Sequence, residues 1–461
     1  MPSEIVRPTQ RFVPPGQDYD AIGEQVAQAT LRRPTMRNPV QRRWLLAFVA
    51  SLALVTLLIV CIGWLFYRGV GIWGNNIPVT WALDIVAYDW WMGIATGALL
   101  VSAVLLLLDQ TWRSALNRIA ESTALYAAIA AAIYPIIHLG RPWFFYWNLP
   151  YPNSLWLWPQ FRSPLVWDAM AILSYLAITI LFWSVAMLPD LGALRDRADG
   201  VWRRRAYGVA ALGWRGSAVH WARWQQAMRV LALLCVLVVV SLQSGAAVMF
   251  SGSLEPGWHD TLLPAFYLID AAFSGVAVIG LGVAVARGLL PLSGLITDEH
   301  VDIVGRLLIA VGLLATYCYA ADFLFTAYGG DAFERATAVR RLVGPYAWSF
   351  WLIVACALVP IHLLWFRRLR RSGVVLGTVG LLVLIGMWCD RFMVIVVTLQ
   401  HDFLPSSSRA YGTTFWAVAT FAGSIGLFGL MWLLFVRYLP AVSITELRLL
   451  AREDAEAAEL G

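Results

Sequence analysis

The sequence contains no lysine: all 34 basic residues among its 461 are arginine. A phosphate-binding loop of the G-x-x-x-x-G-K-[ST] kind is therefore excluded. Charged residues of both signs make up only 13% of the chain, about half the share of a water-soluble domain. The five cysteines, Cys61, Cys235, Cys318, Cys356 and Cys389, each fall in an apolar stretch, with no two close in sequence. Iron–sulfur ligation needs clustered thiolates, so neither a cluster nor a disulfide is expected, and the cysteines read as packing residues. Histidine is also scarce. Of six, only His138 and His362 lie in or at the edge of an apolar stretch, while His220, His259, His300 and His401 read as loop residues. His138 and His362 differ in depth by roughly 25 Å at 1.5 Å per helical residue, too far to share a haem iron. The first 40 residues are polar, with proline and arginine and no apolar core of a signal peptide. The first spanning helix is thus expected to act as its own insertion signal.

Long apolar runs are what the chain does have. It is 60% hydrophobic, with 24 Trp and 16 Tyr, rings that collect at membrane–water interfaces. About 20 apolar residues cross a bilayer. The pattern predicts an all-α polytopic membrane protein of about ten transmembrane helices: Trp44–Tyr67, Tyr88–Leu108, Ala124–Leu139, Ser163–Leu188, Met228–Phe250, Leu262–Ala286, Val301–Tyr328, Pro345–Phe366, Gly373–Leu399 and Thr413–Val436. On that topology 26 arginines fall on the side of the N-terminus and seven on the other (Arg68, Arg141, Arg162, Arg335, Arg340, Arg341 and Arg409), with Arg391 inside a span. The positive-inside rule then places both termini in the cytoplasm. The formal net charge of +6 is a topology signal and not a nucleic-acid one, and nearly all the arginines read as solvated loop charge. The tail beyond Ser443 reads as a short charged surface helix.

An internal repeat organises the spans. Ser163-Pro164-Leu165-Val166-Trp167-Asp168 opens the fourth and Gly344-Pro345-Tyr346-Ala347-Trp348-Ser349 the eighth, each with Pro in the first turn. The second carries Gly93-Ile94-Ala95-Thr96-Gly97 and the sixth Ala271-Ala272-Phe273-Ser274-Gly275, small-residue runs that permit close packing. The offset is about 180 residues in both cases. The division that follows is a polar cytoplasmic arm (1–43), a first flanking helix and outer loop (44–87), two parallel four-helix bundles (88–252 and 253–399), and a tenth helix with a cytoplasmic tail (400–461).

Ionisable groups in hydrocarbon are costly and mark functional candidates. His138 ends the third span, Asp168 lies near the start of the fourth and Asp89 near the start of the second, all toward the outer side, with Arg141 and Arg162 between the third and fourth. Oxidising a quinol requires acceptors for its two hydroxyl protons and a base that titrates near the working pH, and burial moves His and Asp toward that range. An alternative for His138 and Asp168 is a structural hydrogen bond tying the two spans. Asp270, Asp322, Asp390, Arg391 and His362 form a second set, read either as a compensated charge cluster or as a proton half-channel. Asp390 and Arg391 are adjacent and so are not expected to face each other; Arg391 is expected to pair with Asp322 or Asp270.

His138-Leu139-Gly140-Arg141-Pro142-Trp143 at the end of one span, Arg162-Ser163-Pro164-Leu165-Val166-Trp167-Asp168 at the start of the next, and Pro189-Asp190-Leu191-Gly192-Ala193-Leu194-Arg195-Asp196-Arg197 in the loop that follows together resemble the NrfD-like, polysulfide-reductase-type membrane subunits. Pro256-Gly257-Trp258-His259 and Phe273-Ser274-Gly275 fit as well, and the larger ten-helix branch, ActC of alternative complex III, is the nearest likeness. The resemblance implies two four-helix bundles with flanking helices in a bacterial inner membrane, a quinol site near the outer face, menaquinone favoured over ubiquinone, and no metal, haem or iron–sulfur cluster on this chain. It implies His138 and Asp168 as proton acceptors, Asp89, Arg141, Trp167 and Gln243 as quinol-binding residues, and the second set as a proton path. The implied partners are a periplasmic ferredoxin-like iron–sulfur subunit, a related NrfD-like membrane subunit and c-type cytochrome subunits. One departure stands out: where many relatives carry a His and an acid on the fifth span, this chain has Gln243 and Met249.

The leading reading is a quinol-oxidising subunit. A quinone-interacting anchor of a molybdenum- or polysulfide-type reductase is the alternative, since the motifs do not set the direction of electron flow. A secondary transporter would place its site at the midplane with interrupted helices, and a pure scaffold would bind no quinone.

Overall fold

The computed structural model describes residues 26, 39–148, 164–289, 295–329, 331–401 and 403–450. Among them, ten helices are long and apolar enough to cross a membrane. They are α1 (Pro39–Arg68), α2 (Leu83–Leu107), α3 (Asn117–His138), α4 (Pro164–Arg197), α5 (Ala218–Ser251), α6 (Leu263–Leu289), α7 (Asp298–Gly329), α8 (Ala347–Trp365), α9 (Gly373–Val397) and α10 (Phe415–Tyr438). The architecture is the all-α polytopic one that the hydropathy pattern predicts. The expected arm up to residue 38 (residue 26 apart), Arg162 and the tail beyond residue 450 lie outside the described residues.

Several helices run past their apolar stretches. α1 begins inside the expected arm, α2 starts at Leu83 rather than Tyr88, and α3 starts at Asn117 rather than Ala124. His220 and His300 stand in the first turns of α5 and α7 and not in loops. The segment Pro189–Arg197, read as a loop from its proline, is the end of α4. Pro189 has no N–H to donate to Val185 O four residues back. Trp224 Nε1 of α5 donates to that carbonyl instead, at 2.9 Å, so the helix continues.

Glycines set the closest contacts. A Cβ on Gly97 would fall 1.7 Å from Ala271 O, and one on Gly275 would fall 2.1 Å from the Gly97 carbonyl carbon. The small-residue runs of α2 and α6 thus pack directly against each other, backbone to backbone. α9 is the most enclosed span, with 78% of its apolar window buried, and α1 the most lipid-facing, with 11%. Two π-helical turns widen the helices, Ile353–Leu358 in α8 just before Pro360 and Met393–Val397 at the end of α9 just after Arg391.

At the arginine-rich end, the chain after α10 folds back instead of lying on the surface, and this corrects the expected surface helix. Val442, Ser443, Ile444 and Leu447 are buried. Glu446 pairs with Arg113 at 3.0 Å and accepts from Asn117 Nδ2 at 3.1 Å. Thr445 N donates to Asp190 Oδ1 at 3.0 Å. Arg118, fully buried, donates to Asp190 (2.9 Å), Glu121 (2.9 Å) and Ala186 O (2.6 Å). Arg113 and Arg118 are therefore not solvated loop charges: they tie the ends of α3, α4 and the returning tail into one ionic network.

Two outcomes are expected. Gly97→Val forces α2 and α6 apart, a strain of about 3 kcal/mol or more, seen as a lower melting temperature and loss of the monodisperse peak in detergent. Glu446→Ala leaves Arg113 uncompensated and destabilises by about 3–5 kcal/mol in thermal unfolding, whereas a freely solvated tail would show no change.

Candidate functional site

At the end of the molecule where α3 stops and α4 begins, α2, α3, α4 and α5 enclose a cavity of about 520 Å³. That volume is within the range of pockets that enclose a small organic ligand. Most of its wall is aliphatic or aromatic; the polar groups on it are Tyr88, Asp89, His138, Asp168 and Gln243. α2 supplies most of the polar face because Asp84, Tyr88, Asp89 and Met92 share one side of a 3.6-residue helix. Trp81 and Phe250, in edge contact at 5.9 Å, also line it.

His138 Nδ1 is hydrogen-bonded to Asp84 Oδ2, whose carboxyl is 1% exposed. With the Nδ1 proton held by that carboxylate, Nε2 is the ring's free acceptor. Asp168 is hydrogen-bonded to Tyr88, one helical turn along from Asp84. The expected side-by-side pair is thereby corrected. His138 and Asp168 line one cavity, but each is held by its own partner on α2. The His–Asp bond ties α3 to α2, and not α3 to α4.

Behind Asp89 lies the buried cation. The Arg391 guanidinium, 3% exposed, contacts Asp89 Oδ2 (3.5 Å), Asp270 Oδ2 (3.3 Å) and Asp390 Oδ2 (3.4 Å) and stacks over the Tyr267 ring at 4.1 Å. Tyr267 donates to Asp89 at 3.1 Å and Tyr319 to Asp390 at 2.6 Å. Adjacent Asp390 and Arg391 do meet, against expectation, because the long arginine side chain reaches back to its neighbour. Three carboxyls face one guanidinium, so the cluster is neutral only when it holds two protons. Asp89 belongs both to this cluster and to the cavity wall.

Other expected residues lie apart from it. Asp322 pairs with Arg341 at 3.6 Å and not with Arg391. It lines a separate polar cavity of about 180 Å³ with Asp260, Glu334 and Arg341. His362 is exposed at the opposite end of α8, where it accepts from Trp365 Nε1 at 3.0 Å. Arg141 is exposed beyond α3, and Trp167 is 61% exposed; neither is on the cavity wall. Gln243 is on it, donating to Thr96, and so is Met249. The sequence reading missed Asp84, Tyr88, Tyr267 and Tyr319. The signal for the first two was the i, i+4, i+5 spacing of Asp84, Tyr88 and Asp89, hidden by starting the second span at Tyr88.

Comparison with known proteins gives a consistent picture. The family described as polysulphide reductase, NrfD, matches residues 72–401. The C subunit of selenate reductase from Mesobacillus selenatarsenatis is 24% identical over 373 residues, 77% of this chain and 84% of that protein. Protein NrfD of Escherichia coli is 25% identical over 324 residues, 69% of this chain and 94% of that protein. The C-type membrane component of a putative dimethyl sulfoxide reductase from Halobacterium salinarum is 24% identical over 389 residues, 81% of each chain.

Removing the central cation tests the cluster. Arg391→Gln is expected to destabilise the chain by about 3–5 kcal/mol, and pairing it with Asp270→Asn to restore part of the loss. Additive losses in thermal unfolding of the double variant would show that the two side chains do not interact.

Proposed function

This chain belongs to the polysulphide reductase NrfD family, and on that premise we propose that it is the quinone-interacting membrane subunit of a respiratory oxidoreductase complex, the anchor of a molybdenum-type reductase. The observation that carries the reading is the apolar cavity with a buffered base at each of two positions, His138 backed by Asp84 and Asp168 backed by Tyr88. Relatives named as components of selenate and dimethyl sulfoxide reductases favour the reductase anchor. The finer likeness to ActC of alternative complex III is not found among these relatives. A quinol-oxidising complex of that kind is the second reading: it keeps the same site and differs in the subunits attached. The cavity's position at one end of the helices, away from their midpoints, argues against a transport site.

A quinol in such a cavity supplies two electrons and two protons. His138 Nε2 accepts one hydroxyl proton while Asp84 stabilises the imidazolium. Asp168 accepts the other, with Tyr88 holding the carboxyl in place. The Gln243 amide, fixed by Thr96, orients the far edge of the ring, and the electrons pass to an iron–sulfur subunit docked at this end. In the reverse direction the same groups donate protons to the quinone. Asp89 joins the cavity to Arg391, Asp270 and Asp390, which supports a proton path through the second set, with Asp322 one turn beyond Tyr319. On the positive-inside rule the site faces the periplasm of a bacterial inner membrane and the arginine-rich end faces the cytoplasm.

In the assembled complex, His138→Ala and Asp168→Asn are each expected to lower quinol-dependent turnover by about 10²–10⁴-fold, the range of a lost general base. Asp84→Asn should give a smaller loss of kcat with quinone still bound. Wild-type turnover in both His138→Ala and Asp168→Asn, with assembly intact, would remove the assignment.

A further inference from the structure

The connection between α4 and α5 carries a feature that the quinone site does not use. Gly200, at φ +90°, turns the chain out of α4 into a short helix, Val201–Ala210, and Leu212 and Gly213, both at positive φ, turn it back toward α5. At 1.5 Å per residue this helix is about 15 Å long, so it cannot cross a bilayer. Both its neighbours are spans ending at the arginine-rich end, so it sits at the level of the membrane surface.

Its two sides are unlike. One packs on the protein: Gly208 lies against the Arg195 side chain, and the Tyr207 hydroxyl donates to Tyr438 O at 2.9 Å, anchoring the helix to the end of α10. The side turned away carries Val201, Trp202, Ala206 and Val209, with Leu212 following; Trp202 is 82% exposed and Val209 76%. No residue of the helix is buried. An apolar face aimed away from the protein is unfavourable in water and favourable in acyl chains. Arg204 and Arg205 are exposed beside it, the Arg205 guanidinium 6.0 Å from the Trp202 ring. Between residues 195 and 229 the chain has eight arginines and two aspartates, and both partners of the Arg195 fork are local, Asp196 and Trp214 O.

We infer that Val201–Ala210 is an interfacial helix that binds anionic phospholipid of the adjoining leaflet, with Trp202 and Val209 among the acyl chains and Arg203, Arg204 and Arg205 at the headgroup phosphates. Charge complementarity commits the surface to this occupant. Each basic group near an anionic membrane surface contributes favourably, and three together enrich anionic lipid by roughly an order of magnitude or more. A soluble acidic protein would match the arginines and leave the apolar face in water.

The test uses the full chain in its assembled complex, reconstituted in phosphatidylcholine nanodiscs doped with nitroxide-labelled lipid, with a fluorophore on Val209→Cys and mock-labelled wild type as the blank. Labelled phosphatidylglycerol is expected to quench at least threefold more than labelled phosphatidylcholine at equal content. Arg203→Gln/Arg204→Gln/Arg205→Gln should erase that preference, and the triple lysine replacement should keep it. Arg367→Gln/Arg368→Gln, at the same end but on another segment, should leave it unchanged. Equal quenching by both lipids overturns the inference, as does a label shielded from both by another subunit. Loss of the preference in the Arg367/Arg368 variant also overturns it, by assigning the effect to the whole surface.

Discussion

A guanidinium inside a membrane dictates the placement of every helix around it. Stripped of water, it persists only where carboxyls and hydrogen-bond acceptors converge on it. Arg391 satisfies that demand by drawing Asp89 from α2, Asp270 from α6 and its neighbour Asp390 on α9 to one point. Arg118 does the same at the opposite end, gathering Glu121, Asp190 and the Ala186 carbonyl. The glycine contact between α2 and α6 lies between these two ionic knots. It lets the backbones approach closely enough for the carboxyls of both helices to reach one cation.

This arrangement makes α2 the helix on which the cavity depends. It carries Asp84 for His138, Tyr88 for Asp168 and Asp89 for Arg391 within about one and a half turns. A shift of α2 would disturb the orientation of both bases and the charge balance of the second set together. The apolar wall, including Met249 where many relatives are expected to carry an ionisable group, keeps water away from groups whose work is proton transfer. The polar groups that remain are few and are held by neighbours, so little side-chain freedom is lost when a ligand enters.

The comparison between pattern and structure is most instructive at the helix ends. Hydropathy located all ten spans, because a bilayer imposes length and apolarity on each of them. It misplaced their ends wherever a buried polar residue interrupted the run: Asp84 was assigned to a loop, Arg118 and Glu121 to another, and Pro189 to a third. In each case the helix continues because another helix satisfies the group, as Trp224 does for the Val185 carbonyl. Such partners are hundreds of residues apart or on unrelated stretches of sequence, as with Glu446 and Arg113, and no local pattern announces them.

The sequence by itself determined the helical class, the number of spans, the family motifs and the presence of His138 and Asp168 near one membrane face, since these follow from composition, period and spacing along a single chain. Only the tertiary structure decided which acid holds His138, that Asp89 joins the cavity to Arg391, that Asp322 and His362 stand apart, and that the tail is buried. Those outcomes depend on the rotation of each helix about its own axis. That rotation is set by which buried charges must meet and which glycines permit contact, a balance struck among all ten helices at once.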